Sequence, residues 1–166
     1  MNMARLRLLL PVLLLCLGGQ GSPAWAATSE KQMIERGEYM VRIGGCNDCH
    51  TEGFLLSEGN VPKSEWLKGS TFGWRGPWGT TYPSNLRMFA KDLSEAQWVK
   101  EIKTLKRRPP MPWFNVNKMH DDDLRAVYHF IKSLGEPGKQ APEFIPPGQE
   151  PPMPYATIPG PQPPGK

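Results

Sequence analysis

Cys46-Asn47-Asp48-Cys49-His50 puts two thiols and an imidazole within five residues. A C-x-x-C-H run reads as a covalent haem attachment site, in which the thiols add to the two vinyl groups of one porphyrin and the imidazole sits beneath the iron as its proximal ligand. A thioredoxin-like redox pair is the rival reading of C-x-x-C, but the βαβ pattern it needs is missing and His50 follows directly. A zinc site would need more Cys or His ligands, and the other histidines are His120 and His129 alone. His120 falls at a helix N-cap and His129 one place off an apolar stripe, so both read as ordinary surface positions.

The iron's other face decides between electron transfer and substrate chemistry. Met111 lies in Arg107-Arg108-Pro109-Pro110-Met111-Pro112-Trp113, where prolines on both sides stiffen the backbone that would present a thioether. Met119 and Met88 are the alternatives, and methionine as core filler remains the plain explanation for each. A His/Met pair leaves no open position for peroxide or oxygen, which points to a carrier.

The elements that must hold these residues follow from pattern. Arg5 and Arg7, the apolar run Leu8 to Leu17 and Ala24-Trp25-Ala26 read as a secretory signal cleaved after Ala26. Pro11 and the shortness of the run argue against a membrane anchor, and Leu15 before Cys16 argues against a lipoprotein. Export would consume Cys16 and leave Cys46 and Cys49 for the cofactor, with no disulfide. It would also remove two arginines, lowering the formal charge from +4 to +2; nucleic-acid binding is not suggested. A local basic run, Lys100, Lys103, Lys106, Arg107 and Arg108, reads as a solvated face or as a docking patch for an acidic partner.

Ser29 with Gln32, and Ser94 with Gln97, predict capped helices beginning at Glu30 and Glu95. The first runs to Ile43 before Gly44-Gly45, and Gly37 leaves a gap for a helix to approach. The last helix, Asp121 to Leu134, carries Leu124, Val127, Tyr128, Ile131 and Leu134 as one stripe and stops at Gly135. Between the motif and Ser94, residues Thr51 to Lys91 show no period but hold Trp66, Phe72, Trp74, Trp78, Tyr82 and Phe89, and a loop so long must wrap something. Eleven of the nineteen prolines lie from Pro137 onward, predicting a polyproline II tail that builds neither helix nor sheet, with Phe144, Ile145, Met153, Tyr155 and Ile158 as apolar anchors.

Gly37-Glu38-Tyr39-Met40, Cys46 to Thr51, Gly76-Pro77-Trp78-Gly79-Thr80-Thr81-Tyr82-Pro83-Ser84-Asn85, Met111-Pro112-Trp113 and Asp121 to Leu124 together resemble class I cytochrome c domains. They are most similar to the haem modules in cytochrome subunits of bacterial membrane-bound alcohol and gluconate dehydrogenases, which carry several modules where this chain has one C-x-x-C-H. The resemblance covers about residues 29 to 135. It implies an all-α fold of three to five helices around one covalent haem c, with the first and last helices crossing. It also implies Cys46 and Cys49 as attachments, His50 and Met111 as iron ligands, Trp78 on a haem-lining loop and Asn85 near a propionate. Leu86-Arg87-Met88 replaces the usual Ile-Thr-Pro after that Asn, and Arg87 could pair with the propionate instead.

The expected organisation is a signal peptide (1–26), a cytochrome domain (27–136) and a Pro-rich tail (137–166) partly strapped to the domain, its end disordered. The expected function is a periplasmic mono-haem carrier of single electrons, not itself an enzyme, between redox proteins such as a periplasmic or membrane-bound dehydrogenase and a terminal oxidase. The alternatives are a fixed subunit of a dehydrogenase, strapped on by the tail, and a haem enzyme or sensor with an open distal site.

Overall fold

The computed structural model describes residues 29–152 and 154–160. The expected signal segment, residues 1–26, and the tail end, 161–166, lie outside the described residues. In chain order the elements are α1 (Glu30–Ile43), α2 (Cys46–His50), β1 (Gly73–Gly76), β2 (Gly79–Thr81), α3 (Leu86–Ala90), α4 (Glu95–Thr104), α5 (Trp113–Val116), α6 (Asp121–Ser133) and β3 (Tyr155–Thr157), with a 3-10 turn at Lys63–Glu65.

The three long helices begin where their caps predict. Ser29 Oγ accepts from the Gln32 amide at 3.3 Å while Gln32 Oε1 accepts from the Ser29 amide at 2.9 Å, and Ser94 and Gln97 repeat the exchange at the start of α4. Each box satisfies two amides that a helix start leaves without partners. Three aspartates in the first turn of α6 face its positive end, and Gly135, at φ +81°, lets the chain leave the helix.

α1 and α6 cross at Gly37, where the backbones meet: a Cβ there would overlap the Ala126 carbonyl. Around this crossing lie Val41 from α1, Leu124, Val127, Phe130 and Ile131 from α6, and Trp98 and Ile102 from α4, all buried. Each such side chain contributes about 1.5–3 kcal/mol by leaving water. Trp66, from the long loop, belongs to this core too. Its ring packs edge-on against Phe54 and Phe130, and its Nε1–H donates to Val61 O at 2.8 Å.

The all-α expectation is overturned by a three-stranded mixed sheet of order β2-β1-β3. β1 and β2 pair antiparallel across the two-residue turn Pro77-Trp78, and β1 and β3 pair parallel. The tail therefore does build sheet, contrary to the polyproline expectation. Proline lacks an amide hydrogen but keeps its carbonyl, and Tyr155-Ala156-Thr157-Ile158 is a proline-free window in which Tyr, Thr and Ile favour strand. Pro154 O accepts from the Gly73 amide at 3.0 Å, and the Ile158 amide donates to Arg75 O at 2.7 Å. Upstream, Ile145 exchanges both backbone bonds with Thr80, at 2.8 and 3.0 Å. Residues 137–152 and 154–160 thus run as a strap across the hairpin.

Candidate haem-attachment site

The motif occupies one short helix set off from α1 by a glycine pair. The Gly44 amide returns to Met40 O, and Gly45 adopts the left-handed conformation (φ +65°) that reverses the chain into α2. Cys46 and Cys49, three apart, share a face of α2, and both thiols are free and half-buried. Asn47 points inward: its Oδ1 accepts from Thr51 Oγ1 at 2.8 Å, and Thr51 Oγ1 accepts in turn from the Leu67 amide at 2.8 Å. Together with the Gly69 amide on His50 O at 2.8 Å, these bonds fasten the motif to the loop that follows it.

Burial, and then the Asp48 carboxylate, push the Cys46 thiol up to about 11 and raise Cys49 for the same reasons. A dithiol redox centre relies on a depressed thiol pKa, so this environment is unlike one. His50 is buried, and its Nδ1 lies 2.7 Å from Ser84 O. A carbonyl can only accept, so Nδ1 carries the hydrogen and Nε2 is left with its lone pair. Burial lowers the imidazole's pKa, favouring that neutral form. A metal-ligating histidine is oriented in this way.

Asn85, next to Ser84, caps α3 by accepting from the Met88 amide at 2.9 Å. Its amide nitrogen donates to Pro137 O at 2.6 Å and Lys139 O at 2.8 Å. Both amide hydrogens are committed to the strap, and neither is left for a carboxylate. Arg87 is likewise buried, its guanidinium on five carbonyls: Trp66, Lys63, Ser64, Leu134 and Glu136. The propionate pairing considered for Arg87 gives way to this role, in which a fork of five donors joins the loop to the C-terminal end of α6 and the residues just after it.

Trp78 sits half-buried at the hairpin turn, its ring filling the space a side chain on Gly76 would need. Its Nε1 is buried without a partner, as are Thr80 Oγ1 and Tyr82 OH on the same run of chain. Buried polar groups are nearly always paired. Each is an orphaned polar atom of the kind that a polar or anionic substituent of a bound group, such as a haem propionate, would satisfy.

Met111 is half-buried in the link from α4 to α5, outside the hydrophobic core. Its loop is fixed to the hairpin by Thr81 Oγ1, which donates to Pro109 O at 2.7 Å, and to α5 by the Trp113 amide on Met111 O at 2.9 Å. Met119 packs against the core, whereas Met88 lines a hollow of about 280 Å³ with Tyr82, Ser84, Asn85 and Phe89 on one side and Gln140 and Pro142 of the strap on the other. The structure thus gathers Cys46, Cys49, His50 and Asn85 around one bonded network and ties the Met111 loop to the strand next to Trp78. Asn47, Thr51 and Ser84 join that network and were not singled out from sequence. Ser84 acts through its carbonyl, so its side chain gave no signal.

Of the basic run, Lys103 is paired with Asp121 at 2.9 Å and donates to Met119 O. Lys106, Arg107 and Arg108 line an open hollow of about 540 Å³, with Arg108 over the Phe144 ring at 3.8 Å. His129 is half-buried, not solvent-facing, and bonds Glu95 at 2.7 Å. His120 is exposed at the α6 N-cap and makes no side-chain cap bond. Among the described residues no group of three or more His, Cys, Asp or Glu could hold a bare metal ion, and no helix is long and apolar enough to cross a membrane.

No family model matches the chain, and no solved structure matches it. A curated relative does: the cytochrome c subunit of the quinone alcohol dehydrogenase of Gluconobacter oxydans (strain 621H), 28% identical over 120 residues. The match covers 65% of this chain and 23% of that protein, so the chain spans about a quarter of its relative's length. At that distance the likeness is consistent with a cytochrome c-like protein, and it supports an electron-transfer role.

Proposed function

We propose that the chain is an exported, mono-haem c-type cytochrome that carries single electrons between redox proteins. The observation that carries this is α2: two free thiols on one face of a five-residue helix, followed by a buried imidazole whose Nδ1–H is engaged by Ser84 O and whose Nε2 is left to ligate. The unpaired donors of Trp78, Thr80 and Tyr82 add to the fit.

When bound, haem c supplies a one-electron iron couple. The chain does the rest. Cys46 and Cys49 would hold the group through thioethers, and His50 Nε2 and the Met111 thioether would supply its iron ligands. A soft neutral donor favours the reduced state and so raises the potential. None of these residues is asked to bind or transform a substrate.

A fixed dehydrogenase subunit is the second reading, favoured by the relative's name and by the exposed side chains of Ile43, Leu56 and Phe114. The tail supports the free carrier instead, because it folds back on its own hairpin. On either reading the expected donor is a periplasmic or membrane-bound dehydrogenase, and the expected acceptor is a terminal oxidase or its feeder.

The test is the alkaline pyridine spectrum of the purified protein after acid–acetone extraction. Haem retained through two thioethers gives the spectrum of a porphyrin with both vinyl groups saturated, at one haem per chain. Extractable haem, or none, would sink the proposal.

A further inference from the structure

We infer that Asn85 is a positioning residue for the proximal ligand, coupling the C-terminal strap to the carbonyl that orients His50. This rests on the reading of His50 as an iron ligand. Asn85 is only 4% exposed, and its side chain uses both amide hydrogens and its oxygen in hydrogen bonds. The carbonyl of the peptide joining Ser84 to Asn85 receives the His50 ring hydrogen. A side chain that anchors one end of a peptide unit in three directions limits how far its carbonyl can swing.

The neighbouring contacts close the same unit from the other side. The Ser70 amide donates to Pro83 O at 3.1 Å and the Gly69 amide to His50 O at 2.8 Å. A Cβ on Gly69 would lie 2.9 Å from both Pro83 O and the Asn85 nitrogen and 3.1 Å from the Ala141 Cβ of the strap. Gly69, Ser84-Asn85 and the strap therefore meet at one point, with no space between them for a side chain. Downstream the strap is held by the Thr80–Ile145 pair, by Arg108 over Phe144, and by Glu150 against Arg75 and Tyr155. With the far end fixed, Pro137 O and Lys139 O are stationary acceptors for Asn85.

A hydrogen bond at Nδ1 raises the basicity of a ligating imidazole, and a more basic ligand favours the oxidised metal. The strap thus holds the potential down through Asn85, Ser84 O and His50, although none of its residues is needed as a ligand.

The experiment uses the full-length holoprotein with Asn85→Ser. Serine still caps α3 and adds no charge, but it cannot reach both strap carbonyls. Ser94→Ala, which removes a cap of α4 remote from this network, controls for general loosening. The expected result is a higher midpoint potential in Asn85→Ser and faster solvent exchange of the His50 ring N–H in the reduced protein, with both unchanged in Ser94→Ala. An unchanged potential and exchange rate in Asn85→Ser, or equal shifts in the control, would overturn the inference while leaving the covalent haem spectrum intact. Loss of that spectrum in the wild type would instead remove the reading beneath it. If Asn85→Ser does not fold, native-state hydrogen exchange of the wild type decides: the His50 ring N–H and the Ile145 amide should open together with denaturant. A ring proton that stays protected after the strap has opened would refute the coupling.

Discussion

Gly37 and Ala126 are in backbone contact across the α1–α6 crossing, so close that a Cβ on Gly37 would overlap the Ala126 carbonyl and lie 2.7 Å from the Phe130 Cβ. Neither obstacle is the far end of a flexible side chain, so the helices themselves must separate. Gly37→Ala is expected to destabilise the fold by about 1–3 kcal/mol, as overpacking does, despite alanine's better helix propensity. Thermal unfolding measures it. A variant as stable as the wild type would mean that the crossing relaxes freely.

On the proposed function, Met111→Ala should keep covalent haem, because the thiols and His50 are untouched, while opening the position assigned to Met111. The thioether-to-iron charge-transfer band of the oxidised protein is then lost, and the ferrous protein binds carbon monoxide rapidly. Survival of the band would exclude Met111 and turn attention to Met88, the methionine that lines the hollow beside Ser84.

Arg87 joins five carbonyls from two segments, 63–66 and 134–136. Hydrogen bonds to a charged donor contribute about 1.5–3 kcal/mol each and are not additive, so Arg87→Ala is expected to cost several kcal/mol. Arg87→Lys should recover little, since an ammonium lacks the planar fork. Denaturant titration of the two variants checks this, and a near-neutral lysine variant would contradict it.

Glu95 accepts from His129 and Arg125 at 2.7 Å each, and these bonds, His129 first, hold its carboxyl below the usual carboxylate range. A depressed acid stabilises the fold above its unfolded pKa, and the contribution is lost as pH falls through the folded value. Stability should therefore decline as pH drops from about 5 through the carboxylate range, and Glu95→Gln should flatten part of that decline. Glu30, 3.8 Å from His129, faces the same cluster. Parallel acid limbs in the two proteins would show that the link between α4 and α6 carries no pH dependence.

The long helices and the crossing were legible because their signals are local. Ser29 with Gln32 and Ser94 with Gln97 write the caps into the sequence, and Gly37 marks the approach of α6. The sheet was not legible. Strands of three and four residues, such as Gly79–Thr81, are too short to establish an alternation, and Tyr155-Ala156-Thr157 is masked by the prolines around it. Arg87 was read as a partner for a propionate because five backbone carbonyls leave no trace in side-chain types. The partner of His50 was hidden for the same reason.

The parallel pairing of β3 covers one side of β1. β1 and β2 meet through a two-residue turn, whereas β3 must close a loop of roughly 80 residues to reach Trp74. Without β3, one side of β1 is bare. An unpaired edge invites a second chain. In a crowded solution the strap therefore acts as a safeguard against self-association, and substitutions that loosen it should appear first as loss of soluble yield.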